Sequence, residues 1–596
     1  MSQELRILFS QATLGAFPEL TQKEVLQWVA VDDPKNKEHG DYACSVAFKL
    51  SKRFDENPRN IAEKIIKHFP KDYRVKSLEF APPGFINLRL SDEFLAEALK
   101  QLEDGFSVEQ GLHHERPVIV DLCATNAAKH MGAHHILSTV IGDVLANLFK
   151  FMGNDVIRIN HLGDWGMNFA KLIYAIEEWG DMKEIHKHPN DEFTRLYVKF
   201  HEEEEKNPEL AEEARKIFKS LESGDKKRHE LWEWIVNESL VDLKKMFVRL
   251  GVEFDYITGE SFYLKMADEV LAEGKKKGLF VEGEKGALIF NMGEGKIPAL
   301  LQKGDGTTLY LTRDIATAKY RVETWHPEAI LYVVDTAQSL HFEQDFAIVK
   351  ALGYAEGTQL EHISFGRMNF ADSGMSTRKG NVIRLDFLLD EAAKRAGELS
   401  AERGTELPRE DYAALAGIVG TASIKYTVLS QDRQKDIIFD WDKIITLEGN
   451  SAPYLLYSYA RSRSIIEKVG DLPLSGLPSF SKDSEKNMVR QLLKFPDALD
   501  RALHERKPHI VCTALYEMCQ EFNRFYGTTS VAGAETELQK RTRLGVVHAF
   551  AFALKSGLSI LGIPTLERMG PLAPYPAFPS RMRFYSLGKI QWHLDR

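Results

Sequence analysis

Cysteine is scarce, with four in 596 residues, at Cys44, Cys123, Cys512 and Cys519. None forms a CxxC pair and no histidines stand at metal-ligand spacing beside them. Neither a disulfide framework nor a zinc site is indicated, and a reducing cytoplasm is the compartment expected. Long apolar runs are also lacking. Stretches such as AFAFAL (549–554) are short and interrupted by charge, well under the roughly 20 apolar residues that span a bilayer, so no membrane association is expected. The N-terminus, MSQELRILFSQATLGAF, has one basic residue ahead of its apolar positions and carries Glu4, which does not read as a secretion signal. Positive charge is not in excess either. With 77 Lys and Arg against 87 Asp and Glu the net charge is −10. This argues against indiscriminate binding to nucleic acid, although it averages over the whole chain and leaves room for a local basic surface.

What is present is a globular composition, 44% hydrophobic and 28% charged, on a chain too long for one core. About three to five domains of about 100 to 200 residues are expected. Residues 1–110 mix helical patterns with the turn APPGFINLRLSD (81–92), whose alternating Phe85 to Arg89 reads as a strand, giving a small α+β domain. From Pro117 the pattern changes. VIVDL (118–122) is a short buried strand. After a polar loop, Ile136, Val140, Ile141, Val144, Leu145, Leu148 and Phe149 mark one face of a helix. Gly153 can end that helix and NDVIRIN (154–160) reads as the next strand, a β-loop-α-β unit of a parallel sheet. The charged stretch 181–250 reads as a solvated helical insertion. Strands are expected again at TTLYLT (307–312) and AILYVVD (329–335), so the α/β domain runs over 111–404. Amphipathic helices dominate 405–569, an all-helical domain. The tail 570–596 opens with the proline-rich PLAPYPAFPS (571–580), expected to be extended.

The loop after the first sheet strand, DLCATNAAKHMGAHHILSTVIGD (121–143), gathers Asp121, Asn126, Lys129, His130, His134 and His135 just before a helix. In an open parallel sheet this is where ligands bind. A helix start offers unpaired N–H groups and the positive end of a dipole, and Lys and His add donors for phosphate oxygens. Taken alone, the same histidines equally cap a helix, and as metal ligands they lack a carboxylate or cysteine at ligand spacing. Farther on, GMSTRKGNV (374–382) places Ser376, Thr377, Arg378 and Lys379 in a Gly-bounded loop, where the cations can neutralise a departing pyrophosphate. A basic surface turn looks similar.

Together these loops resemble those of the class I aminoacyl-tRNA synthetases, and within them the arginyl-tRNA synthetases. GDYACSVAFKLSK with NPRNIAEKI (40–64) and PPGFINLRLS (82–91) resemble that family's N-terminal tRNA-contacting domain. NHLGDWGMNFAKLI (160–173), YLTRDIATAKYR (310–321) and YVVDTAQSLHFEQ (332–344) resemble its catalytic segments. SAPYLLYSYARSRSI (451–465), LYEMCQEFNRFY (515–526) and GLSILGIPTLERM (557–569) resemble its helical anticodon-binding domain. The resemblance implies a multidomain α/β protein with a Rossmann-like catalytic domain, in which arginine and Mg-ATP form an adenylate that the tRNA for arginine captures. It implies a cytoplasmic monomer with ATP, Mg2+, arginine and tRNA as its ligands. By position, Lys129, Gly132, His134 and His135 with Met375, Ser376, Thr377, Arg378 and Lys379 fall at the ATP site, with Lys129, His135, Ser376 and Lys379 catalytic. Asp121, standing where the family commonly has Glu, falls with Asn126, Tyr310, Asp314 and Gln338 at the arginine site. A planar guanidinium suits a carboxylate there. Without the resemblance, Asp314 reads as a helix N-terminal charge and Tyr310 as a strand packing residue. Tyr454, Tyr459 and Arg461 fall at the tRNA site, where Tyr454 and Arg461 share a helix face at i, i+7. Helix packing is the alternative for the tyrosines.

Three departures stand out. The first signature should read His-x-Gly-His, whereas here Gly132, Ala133, His134 and His135 occupy its positions. A side chain at 134 costs about 1–3 kcal/mol if adenine must pass it, and a missing phosphate donor at 132 about 3–4 kcal/mol. Together these amount to about 10³ to 10⁵ in rate. Relief is expected from His130 or His134 reaching the phosphates, or from Lys129 taking more of the charge. Failing these, the chain is a catalytically impaired relative that binds tRNA. Second, Gly374 replaces a frequent Lys in the other signature, and Leu137 a frequent basic residue after the first. Third, the tail carries Arg581, Arg583, Lys589 and Arg596 among Phe584, Tyr585 and Trp592. That composition suits RNA or a partner, or an incidental extension.

Overall fold

The computed structural model describes residues 1–34, 39–103, 116–370, 383–402, 409–470, 472–474, 476–566 and 583–585. The first domain is a four-stranded antiparallel sheet in the order Val31–Asp32, Tyr42–Cys44, Phe85–Leu90, Val75–Ala81. Helices cover it, and their starts are written locally. Thr21 and Glu24 form a reciprocal capping box, and Asn57 caps a helix with Pro58 in its first turn.

The central sheet has six parallel strands in the spatial order Gln359–His362, Ala329–Tyr332, Val118–Asp121, Val156–Leu162, Tyr256–Gly259, Arg583–Tyr585. The first strand in sequence, Val118–Asp121, sits inside the sheet. The chain leaves it toward Val156–Leu162 on one side and returns on the other with Ala329–Tyr332. That reversal opens a crevice at the carboxyl ends of the strands, where ligands settle in open α/β sheets. The helix His135–Phe151 buries the expected positions from Ile136 to Phe149.

The stretch expected to be helical folds as Met182–Lys187, Pro189–Lys206, Leu210–Glu222 and Lys226–Leu250. TTLYLT, expected as a strand, instead opens the helix Tyr310–Trp325, which buries Leu311, Ile315, Ala316 and Ala318. Six residues of apolar alternation are too few to separate period 2 from period 3.6, and the helical spacing shows only over the longer span.

The C-terminal helices, Arg409–Leu429, Ala452–Val469, Asp483–Leu493, Phe495–Glu505, Pro508–Thr528 and Glu537–Ile560, pack around stacked Phe522 and Phe550, 3.9 Å between ring centres. One helix carries a longer apolar stretch than the sequence reading allowed, Tyr412–Leu429, long and apolar enough to cross a bilayer by composition. Most of it packs inside the molecule. Its buried Lys425 donates to the Leu250 carbonyl at 2.8 Å and the Gly562 carbonyl at 2.7 Å, joining the insertion to the C-terminal turn. The first domain docks on Asp483–Leu493 and its extension through three cations spaced four apart: Lys486 to Asp92 at 2.8 Å, Arg490 to Asp41 at 2.9 Å and Lys494 to Asp33 at 2.7 Å. In the tail, Arg583–Tyr585 pairs in parallel with Tyr256–Thr258. The extended stretch expected over 571–580 lies outside the described residues, as do Arg581, Lys589, Trp592 and Arg596.

Candidate active site

Between Asp121 and the helix at His135 the loop takes left-handed conformations at three residues other than glycine: φ is 79° at Cys123, 49° at Ala124 and 62° at Ala128. Such conformations persist only where the surroundings enforce them. Here Ala127 N donates to the Gly163 carbonyl at 3.0 Å and Gly163 N to the Thr125 carbonyl at 2.8 Å. A Cβ on Gly163 would fall 2.2 Å from Asn126 Oδ1, so only glycine lets the exposed Asn126 side chain lie where it does.

The helix start differs from expectation in one respect. The N–H groups of His135, Ile136 and Leu137 are not free, because they donate to the carbonyls of Gly132, Ala133 and His134 at 3.0, 3.2 and 3.2 Å. The turn Met131–His134 continues the helix backward and uses them up, which leaves phosphate binding to side chains and to the dipole. His135 Nδ1 accepts from Gly132 N at 3.0 Å. The Gly132 carbonyl already takes the His135 N–H. The tautomer that satisfies both carries its proton on Nε2. Burial, and after it the charge of His134, holds His135 down to about 4, so the ring is a neutral Nε2–H donor at pH 7. The exposed His134 ring lies 4.0 Å from it between centres. Lys129 is exposed, with its ammonium 4.8 Å above the Tyr197 ring.

His130, expected as a substitute phosphate ligand, is held elsewhere: Nε2 meets Asp191 Oδ1 at 2.9 Å and Nδ1 meets Asp242 Oδ2 at 3.3 Å. Gly374, Met375, Ser376, Thr377, Arg378 and Lys379 lie outside the described residues. The residues that follow them are bound to the first loop, since Ala133 N donates to the Ile383 carbonyl at 2.7 Å, Leu385 N to the Met131 carbonyl at 2.8 Å, and Gly132 bridges Arg384.

Beside this loop an acidic pocket is centred on Asp314, one turn into the helix Tyr310–Trp325. Asp314 Oδ2 meets His341 Nε2 at 2.7 Å and Oδ1 lies 4.0 Å from His161 Nε2. Burial opposes charge on His341, but the bond to Asp314 outweighs it and the pKa is raised. Tyr310 heads the same helix on the side facing solvent, with the Arg313 guanidinium 4.6 Å over its ring. It is not the strand packing residue of the alternative reading. Gln338 is exposed at the end of the short turn Thr336–Gln338.

Asp121 departs from expectation. It is buried, and its carboxylate pairs at 2.7 Å with Arg321, which is 0% exposed. With its carboxylate neutralised from beneath, Asp121 belongs to the floor of the pocket and not to its open face. Glu260 was missed. It follows the strand Tyr256–Gly259 and meets Arg313 at 3.0 Å. Burial pushes it up to about 8 against the pull of Arg313, and Asp314 and Asp164 add repulsion. Asp164, in the GDWG segment, holds the turn that carries Glu260: it accepts from Ser261 N at 2.9 Å and Ser261 Oγ at 2.6 Å. The signal available in sequence was an acid directly after a strand, too common to single out. Glu260 already holds the Arg313 guanidinium, so a second guanidinium in this pocket would share an ionised Glu260 with Arg313. Burial raises Glu260 to about 8, so below that pH it holds a proton that the cation must displace, and KM for a guanidinium substrate is expected to fall as pH rises from 7 to 8.5, by about eightfold in all. Replacing Glu260 with Gln should flatten that profile. A parent profile already flat over this range would contradict the assignment.

In the helical domain Tyr454 and Arg461 reach the same partner. Asn523 Nδ2 donates to the Tyr454 hydroxyl at 2.7 Å and Arg461 donates to Asn523 Oδ1 at 2.6 Å. The Arg461 guanidinium also lies 4.7 Å over the Tyr457 ring and 4.8 Å over the Tyr526 ring. Both tyrosines are exposed, which makes an open stacking platform. Tyr459 does not join it. Two residues from Tyr457, it turns to the opposite side of the helix and is 2% exposed, so it packs in the core.

Comparison with known proteins agrees along the length of the chain. The family model for the arginyl tRNA synthetase N terminal domain matches residues 3–90, that for tRNA synthetases class I (R), catalytic domain, residues 97–441, and that for the DALR anticodon binding domain residues 455–569. An arginine–tRNA ligase of Fusobacterium nucleatum is 38% identical over 573 residues, 95% of this chain and 99% of its own length. That of Halothermothrix orenii is 37% identical, covering 90% of this chain and 95% of the relative. Among solved structures the arginyl-tRNA synthetase of Plasmodium falciparum superposes with a TM-score of 0.80 at 25% identity, over 95% of this chain and 99% of that one.

Proposed function

The chain belongs to the arginyl-tRNA synthetases, and on that basis we propose that it is an arginine–tRNA ligase that forms arginyl-adenylate from arginine and ATP and transfers the arginyl group to the tRNA for arginine. In the first step an arginine carboxylate oxygen attacks the α-phosphorus of ATP and pyrophosphate leaves. In the second a ribose hydroxyl at the tRNA 3′ end attacks the activated carbonyl and AMP leaves. Mg2+ enters on the triphosphate as part of that substrate. The protein's contribution is position and charge. Lys129, His134 and the Nε2–H of His135 face the phosphates, Gly132 keeps the turn beneath them, and Met375, Ser376, Thr377, Arg378 and Lys379 complete the ATP site. Asp314, Tyr310 and Glu260 receive the guanidinium, and Asn126 and Gln338 the α-amino end. Tyr454 and Arg461 meet the anticodon loop. The chain acts as a cytoplasmic monomer.

The observation that carries this reading is the carboxylate pocket of Asp314 and Glu260 beside the loop that ends in His135. It gathers Asp314, held by His341, and Glu260, held by Arg313, within one crevice at the carboxyl ends of the sheet strands. Full-length relatives that are arginine–tRNA ligases argue against the impaired reading. Charging of purified tRNA for arginine, with lysine and citrulline offered in competition, tests the substrate. Arginine should be the only one of the three attached, and preferred charging with either rival would overturn the reading. Arg461→Ala should slow that charging about tenfold, the loss of a stacked cation at one base, while leaving pyrophosphate exchange at saturating tRNA within twofold. Unchanged charging would remove Arg461 from the tRNA site.

A further inference from the structure

The helical insertion grips three consecutive residues of the loop ahead of His135. Ala128 N donates to Ser239 Oγ at 2.8 Å, Lys129 lies over the Tyr197 ring, and His130 is held between Asp191 and Asp242. Ser239 and Asp242 stand three apart on the helix Lys226–Leu250, so one face of it meets the loop. Tyr197 and Asp191 belong to the helix Pro189–Lys206.

Asp191 has a second role in this contact. Its Oδ1 also accepts from an Arg384 guanidinium nitrogen at 3.0 Å, and the same guanidinium holds Asp386 through Nε at 3.0 Å and a terminal nitrogen at 2.6 Å. Arg384 lies opposite Gly132 in the bridge that ties Ile383–Leu385 to Met131–Ala133. One carboxylate oxygen of the insertion is thus the common acceptor for His130, two residues ahead of the first signature, and for Arg384, paired against that signature's backbone. Side-chain exposures of 59% at Asp191 and 43% at Arg384 make this pair worth little to folding, so its value lies in register. We propose that Asp191 is a positioning residue for the nucleotide site, with the insertion setting the placement of Lys129 and the turn Met131–His135 through the shared bonds of Asp191 to His130 and Arg384.

This rests on the ligase reading, and the test separates the two. Arginine-dependent ATP–pyrophosphate exchange is measured with the full chain in the presence of tRNA while ATP and arginine are varied in turn. Asp191→Asn should raise KM for ATP about three- to tenfold, with arginine KM and the thermal midpoint unchanged. Arg384→Gln should do the same. Because both act through one oxygen, the double variant should be no worse than Asp191→Asn alone. Asp191→Glu, which keeps the charge, should recover most of the parent value. The inference is overturned if ATP KM stays within twofold of the parent in both single variants, if their effects multiply in the double, or if arginine KM rises in step. Should Asp191→Asn fail to fold, Arg384→Gln and Asp191→Glu carry the same comparison. A folded parent chain without exchange removes the ligase reading and this inference with it.

Discussion

Asp314→Asn should lower kcat/KM for arginine by about 10² to 10³, with little change in ATP KM or in thermal midpoint. The substitution keeps the shape of the side chain and removes its charge, which forfeits a charge-assisted pair with a guanidinium worth about 3–4 kcal/mol in a partly desolvated pocket. Asp314 is suited to this because its side chain is aimed: His341 fixes Oδ2 at 2.7 Å, and Tyr310, one turn earlier, shares its face of the helix. Stability should hold because the carboxylate is partly open to solvent, with 30% side-chain exposure. Steady-state exchange kinetics with a melting curve on the same preparation make the check. A loss under tenfold would place the guanidinium elsewhere.

Arg321→Met should destabilise the catalytic domain by about 3–5 kcal/mol, the cost of leaving a buried carboxylate without its partner. Arg321 is fully buried and meets Asp121 at 2.7 Å beneath the crevice, with its guanidinium 5.5 Å from the Tyr332 ring centre. The loss should be largely repaired in the double variant Asp121→Asn with Arg321→Met, which removes both charges. Urea unfolding followed by tryptophan fluorescence measures both. Equal stability of parent and single variant, or a double variant worse than the single, would show that the pair does not bear on the fold. Arginine KM should rise in the single variant, since Asp121 lies at the end of the strand that floors the pocket.

The two outcomes for Asp121 and Asp314 show what could be read from residues alone. Apolar spacing from Ile136 to Phe149 runs for four turns and places its helix without ambiguity, and the strands beside it follow. TTLYLT is six residues long and its period is undetermined, so Tyr310 reads as strand and Asp314 as the start of a helix, whereas the two share one helix. Motif position identifies a residue but not the direction of its side chain. Asp121 has a buried arginine 200 positions away in sequence, and no local pattern announces Arg321. Glu260 and His341 enter the pocket for the same reason, brought from separate elements by the order of the sheet strands. Tyr459 differs from Tyr457 by two residues, about 200° around a helix, and that rotation decides core against surface. The grip of Asp191 and Ser239 on the loop was invisible in a segment whose charge pattern reads only as solvated helix.

The most direct test of the ligase assignment is arginine-dependent ATP–pyrophosphate exchange by the purified chain, with and without tRNA for arginine. The expected result is strong exchange with tRNA present, lost in Asp314→Asn, with Gly132 and His134 left as they stand. Absence of exchange from a folded chain that still binds that tRNA would contradict the assignment and locate the fault in the turn Met131–His135.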